Sequence, residues 1–187
     1  MFTGVLMKLV GFQDGWAMRP VYQIYNMSNL NNILEKNPVS FTNVRHPFER
    51  LVSGYLHLRH HLEQLKENTF KQFVSEYLLP AAKASRNKKT YERMNPHFKP
   101  ANAYCAFCNI NYNVISKTET CTEDKARIME MMGIKDREVR LNVNGGNAIT
   151  NFTKACFSNL TKEQRSAVLE LYKNDFDMFN YDPYLYL

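Results

Sequence analysis

The feature that most constrains this chain is the passage from an extended run into a helix at residues 39–47. Val39 to Val44 reads as a short strand, although Ser40, Thr42 and Asn43 make it more polar than a central parallel strand usually is. Pro47 suits the first position of a helix, because its φ is already helical and its missing N–H is not needed there. Arg45 therefore falls where a strand hands over to a helix. Free backbone N–H groups and the positive end of the helix dipole meet at such a junction and favour a phosphate. Arg45 adds a forked, charge-assisted grip, and Ser53, nearly two turns into the helix, adds a hydroxyl.

Strands and helices alternate through the rest of the chain. Residues 1–10 read as a helix that starts abruptly, and residues 11–38 as loop, punctuated by Gly11, Gly15, Pro20 and Pro38. The helix that opens at Pro47 is expected to reach about His61. Thr69 and Gln72 have the capping-box spacing, and Phe70, Phe73, Val74, Tyr77 and Leu78 recur on one helical face as core. Residues 80–100 read as a basic, proline-bounded loop and Tyr112 to Ser116 as a second strand. Thr122 is placed to cap a helix with Glu123 and Asp124 in its first turn and a stop at Gly133. Asn144-Gly145-Gly146-Asn147 reads as a turn. Thr161 and Gln164 repeat the capping box and open a helix through about Lys173, and the aromatic end, Phe176 to Leu187, is expected to pack back. This order predicts an α/β fold with a mostly parallel sheet. The 187 residues suffice for a single domain, 1–187, with a real core.

The segment Val44-Arg45-His46-Pro47-Phe48-Glu49-Arg50-Leu51-Val52-Ser53-Gly54-Tyr55 resembles the 3′-phosphate-binding motif of the Golgi carbohydrate sulfotransferases of the chondroitin, dermatan and HNK-1 type. That motif runs Arg-x-Pro-Phe-x-Arg-Leu-x-Ser-x-Tyr, and Arg45, Pro47, Phe48, Arg50, Leu51, Ser53 and Tyr55 meet every fixed position. Further segments resemble the same family in the same order. They are His97-Phe98-Lys99-Pro100, Cys105 to Tyr112 as Cys-x-x-Cys-x-Ile-x-Tyr, Lys117-Thr118-Glu119-Thr120, and Tyr172 to Tyr181 as Tyr-x-x-Asp-Phe-x-x-Phe-x-Tyr. The resemblance implies a P-loop-kinase-like sheet flanked by helices. It also implies sulfate transfer from 3′-phosphoadenosine 5′-phosphosulfate to a glycan hydroxyl, with Arg45 and Ser53 on the donor's 3′-phosphate. Arg50 either assists the phosphate or locks the helix, and the locking role is preferred.

The family also binds its donor through a Lys-bearing phosphosulfate loop ahead of a helix that resembles Met1 to Leu9. Lys8 lies past the expected position, so the chain is expected to be incomplete at its N-terminus, an incomplete copy of a longer enzyme. An inactive donor- or glycan-binding remnant is the alternative. The family's setting implies the lumenal side of the Golgi membrane, through an anchor this sequence does not include. The sequence holds no apolar run of the roughly 18 residues that a membrane helix needs.

Several other residues bear on the chemistry. His97 suits a general base for the acceptor hydroxyl, or a residue that fixes its loop through a hydrogen bond, and the loop-fixing role is preferred. Glu119, after the second strand, can orient substrate, act as base or pair with a nearby cation. Cys105 and Cys108 admit a redox pair, a zinc site with His97 and Cys121, or a structural disulfide. The disulfide is preferred, with connectivity open and no metal expected. Sequons at Asn26, Asn151 and Asn159 favour a secretory compartment. The formal charge of +6 and the stretch Lys83, Arg86, Lys88, Lys89 and Arg93 suit either plain solvation or an acidic glycosaminoglycan lying across it. A nucleic-acid partner is not expected: no binding motif for one is present, and the aromatics fall on core faces.

Overall fold

The computed structural model describes residues 41–85, 91, 94–104, 107, 111–131 and 146–187. In chain order the elements are β1 (Phe41–Val44), α1 (Pro47–Leu58), α2 (continuous through Phe70–Gln72, Phe73–Leu78 and Leu79–Ser85), α3 (Ala101–Tyr104), β2 (Val114–Lys117), α4 (Cys121–Met131), α5 (Gly146–Ser158) and α6 (Lys162–Phe179). Short 3-10 turns stand at Glu63–Leu65 and Thr118–Thr120. The described residues belong to two compact units, one drawn from 46–104 and 146–187, the other from 41–45 and 107–131. The readings for residues 1–40, which include the first helix, Lys8 and the Asn26 sequon, lie outside the described residues. So do those for Arg86, Lys88, Lys89, Arg93, Cys105 and Cys108.

In the smaller unit β1 and β2 pair in parallel, in register from Phe41↔Val114 to Val44↔Lys117. Parallel partners need a long crossover, and some seventy residues of chain separate these two. Of the polar residues that looked odd in β1, Asn43 has work within this sheet, while the buried Thr42 hydroxyl meets no hydrogen-bond partner among the described residues. Asn43 Nδ2 donates to Ser116 Oγ at 3.2 Å, and Thr118 Oγ1 donates to Asn43 Oδ1 at 3.0 Å and to the Val44 carbonyl at 3.1 Å. β2 runs Val114–Lys117, later than the Tyr112 start expected from its apolar residues, because Tyr112 and Asn113 precede the paired register. α4 begins at Cys121, so Thr122 lies inside the helix and does not cap it. Asp124 instead reaches back, accepting from Ser116 Oγ at 3.0 Å, Thr120 Oγ1 at 2.8 Å and the Lys117 N–H at 3.3 Å. Burial raises the Asp124 carboxyl, but these hydrogen bonds, with Arg127 nearby, hold it below its usual value.

The larger unit is helical around an aromatic core. Phe48, Phe73, Phe98, Phe157 and Tyr172 are almost wholly buried. The rings of Phe48 and Phe157 stack at 4.2 Å, and Phe73 meets Phe98 at 4.8 Å. Both capping boxes form as read, Thr69 with Gln72 and Thr161 with Gln164. α2 runs through Pro80 to Ser85, past the point where a loop was expected. Proline removes one helical donor and crowds the carbonyl four residues back. Here Phe73–Leu78 is wound as a π-helix, with the Leu79 N–H donating to the Val74 carbonyl five residues away, which makes room for the ring.

α5 was not anticipated. Gly146, read as part of a turn, opens it, and Thr153, Cys156 and Phe157 form its buried stripe. α6 extends beyond Lys173 to Phe179 and closes on Asn180 in the left-handed region, φ 51°. The last residues do pack back: Tyr186 joins the core cluster, with Tyr181 against it.

Candidate functional site

The junction singled out in the sequence has a definite local construction on its helical side. Pro47 occupies the first helical position, and His46 is the N-cap with φ −46° and ψ 124°. Its Nδ1 accepts from the Phe48 N–H at 3.3 Å, and its Nε2 lies 3.1 Å from the Asp182 carbonyl oxygen. Glu49, an acid in the first turn as the helix dipole favours, is turned inward, where Thr150 Oγ1 donates to it at 2.9 Å and the Tyr186 hydroxyl also donates to it.

The candidate phosphate residues fall in different units and are placed as follows. Arg45 follows β1 in the smaller unit and is buried, at 5% exposure. Ser53 lies on α1 in the larger unit, half-buried, and its hydroxyl makes no hydrogen bond to a described residue.

Arg50 is spent inside the larger unit. It is 6% exposed, donates through Nη2 to the Lys99 carbonyl, and lies 3.8 Å from Asp175 Oδ2. Its guanidinium sits 5.8 Å from the Tyr172 ring centroid. Asp175 in turn accepts from the N–H groups of Ala101 at 2.6 Å and Asn102 at 2.8 Å, at the start of α3. Burial pushes the Asp175 carboxyl up, against the pull of Arg50 and of the Asn102 and Ala101 N–H groups. Tyr172 donates its hydroxyl to the Phe98 carbonyl at 2.7 Å, and burial carries that phenol above its ordinary range.

His97 is brought against α1. A Cβ added at Gly54 would meet Phe98 Cε1 at 3.1 Å, the His97 carbonyl at 3.2 Å and His97 Cβ at 3.4 Å. Gly54 thus lets the 97–98 segment close on the helix beside Ser53. Gly54→Ala is expected to destabilise the protein by about 1 kcal/mol, because crowding a backbone carbonyl outweighs the helix-propensity gain, and chemical denaturation measures it.

The His97 and His57 rings are 5.2 Å apart, and His57 and His61 5.1 Å. Partial burial, then the neighbouring His57 and Arg50, hold His97 below its ordinary 6.5. A folded histidine that binds its proton less readily than the unfolded chain contributes stability that is full above 6.5. That contribution is lost as pH falls through 6.5, and the loss levels off below the folded value. Unfolding experiments between about pH 5 and 7.5 should show this slope in the native protein and a flatter one in His97→Asn.

The sequence reading missed His46, Gly54, His57 and the Arg50–Asp175 link. Histidines at 57 and 61 stand four apart in a helix expected to reach about His61, which was a usable signal although α1 ends at Leu58. The others depend on contacts distant in sequence. Glu119 is exposed in the 3-10 turn after β2. Lys83 is exposed on α2. Cys121 and Cys156 are free, buried thiols, and burial pushes Cys156 up to about 11. Asn151 and Asn159 are exposed on and just after α5. Among the described residues no group of three or more His, Cys, Asp or Glu is placed to hold a metal, and no helix is long and apolar enough to cross a membrane.

Comparison with known proteins agrees with the motif. A family described as the sulfotransferase family matches residues 15–182. Carbohydrate sulfotransferase 11 of Mus musculus is 27% identical over 190 residues, covering 87% of this chain and 52% of the relative. The Danio rerio protein of the same name is 28% identical over 191 residues, with the same coverage of 87% and 52%. Carbohydrate sulfotransferase 9 of Homo sapiens is 28% identical over 126 residues, 62% of this chain and 26% of the relative. No solved structure matches the chain. The chain belongs to the sulfotransferase family. It spans about half the length of the carbohydrate sulfotransferase 11 relatives.

Proposed function

We propose that this chain is part of a Golgi-lumen carbohydrate sulfotransferase that moves sulfate from 3′-phosphoadenosine 5′-phosphosulfate to a glycan hydroxyl. The observation that carries the reading is the complete Arg45–Tyr55 motif, set at a strand-to-helix junction in a chain that matches the sulfotransferase family over residues 15–182. In this reading β1 and β2 belong to a larger, mostly parallel sheet of the P-loop-kinase type, within one sulfotransferase domain.

The donor supplies the sulfuryl group, and catalysis is then mostly positioning and charge stabilisation, by analogy with phosphoryl transfer. Arg45 provides a charge-assisted grip on the 3′-phosphate and Ser53 a hydroxyl. Arg50 holds α1 in place from inside, through Lys99, Asp175 and Tyr172. His97, kept in its neutral form near pH 7, accepts the proton of the acceptor hydroxyl as that oxygen bonds to sulfur and the bond from sulfur to the donor's 5′-phosphate oxygen breaks, releasing 3′,5′-adenosine bisphosphate. The glycan acceptor is a glycosaminoglycan or a related chain, met by the basic residues that begin at Lys83. Asn26, Asn151 and Asn159 are glycosylation sites in the lumen.

The test is sulfate transfer from radiolabelled donor to a panel of desulfated glycans, run beside donor binding. Transfer that is abolished in Arg45→Ala supports the reading. Donor binding with no transfer to any acceptor selects an inactive donor-binding relative, and a folded chain that binds no donor overturns both.

A further inference from the structure

We propose that His46 is a positioning residue for the phosphate grip: its imidazole caps the first turn of α1, and the C-terminal segment holds it in the one tautomer able to do so. The inference rests on the reading above, in which α1 presents Ser53 to the donor phosphate.

N-caps are usually Ser, Thr, Asp or Asn, whose short side chains accept from an orphan N–H of the first turn. At α1 that role falls to a histidine. Its Nδ1 accepts from the Phe48 N–H at 3.3 Å, so Nδ1 must carry its lone pair and not a proton. The remaining proton then resides on Nε2, where it is donated to the Asp182 carbonyl at 3.1 Å. The two contacts demand the same neutral tautomer.

The ring is 3% exposed and meets four aromatic rings edge-on: Phe48 at 5.7 Å, Phe176 at 5.4 Å, Tyr181 at 5.3 Å and Tyr186 at 4.7 Å. Two of these, Tyr181 and Tyr186, come from the segment that also supplies the Asp182 carbonyl. That segment makes a second attachment one turn along α1, where the Tyr186 hydroxyl donates to Glu49. Asp182 is itself steadied by the Tyr184 N–H, which donates to its Oδ1 at 2.8 Å. The chain terminus thereby fixes the start of the helix on which Ser53 follows.

Two substitutions separate capping from packing. His46→Phe keeps a ring among the aromatics and removes the acceptor; His46→Asn keeps an acceptor and removes the ring. Calorimetric titration of the whole chain with 3′,5′-adenosine bisphosphate should show about 5- to 10-fold weaker binding in His46→Phe, the size of a lost cap, and near-native affinity in His46→Asn. The Phe48 amide should exchange faster in the first variant and stay protected in the second. Equal binding by His46→Phe and the native chain overturns the inference, as does His46→Asn falling as far as His46→Phe. If His46→Phe does not fold, His46→Asn decides alone: near-native affinity with a protected Phe48 amide supports the cap, and loss of either contradicts it. If the native chain binds no bisphosphate, the donor-site reading fails separately, and the exchange rate of the Phe48 amide still judges the cap.

Discussion

Asp175→Ala is expected to cost about 3–5 kcal/mol of stability, the scale seen when one partner of a buried ion pair is removed. Asp175 is 1% exposed, lies 3.8 Å from the Arg50 guanidinium and accepts from the N–H groups of Ala101 and Asn102. Without its carboxylate, Arg50 keeps the Lys99 carbonyl but remains a buried cation with no acid beside it. The two N–H groups at the start of α3 lose their acceptor as well. Arg50→Ala and the double variant complete a cycle in which the losses should not add, because both residues serve one network. Urea unfolding measures all three. A loss below about 1 kcal/mol for Asp175→Ala would mean that the network does not hold α1, α3 and α6 together.

Arg45→Ala is expected to weaken binding of 3′,5′-adenosine bisphosphate by about 1.5–3 kcal/mol, the size of a charged hydrogen bond. Arg45→Lys should recover only part of the loss, because an ammonium cannot reproduce the planar fork. Ser53→Ala should cost less, about 0.5–1.5 kcal/mol, as a neutral hydroxyl does. Equilibrium dialysis against labelled nucleotide resolves these differences. Unchanged affinity in a folded Arg45→Ala protein sinks the assignment of this residue.

What could be read in the sequence follows the range of the forces involved. Caps and prolines act within four residues, so Thr69 with Gln72, Thr161 with Gln164, and Pro47 at the head of α1 were all legible. The Arg45–Tyr55 motif is contiguous and needed no structure to be seen. Pro80 was legible as a breaker, yet the π-turn at Phe73–Leu78 that lets the helix pass it depends on where Phe73, Val74 and Leu78 find their core, which is a tertiary matter. α5 was hidden because its opening Gly146-Asn147 has turn chemistry, while its helical stripe of Thr153, Cys156 and Phe157 is short and mixed in polarity. The histidine cap, the Gly54 contact and the Arg50–Asp175 link join positions far apart or use a residue type outside the usual cap set, so no local pattern announces them. The contacts that support α1, more than the motif along it, were what the sequence concealed.

The most direct measurement is a calorimetric titration of the native chain with 3′,5′-adenosine bisphosphate. The donor-site account predicts saturable one-site binding that weakens about tenfold or more in Arg45→Ala. A natively folded chain that releases no heat and shows no binding by dialysis would contradict it.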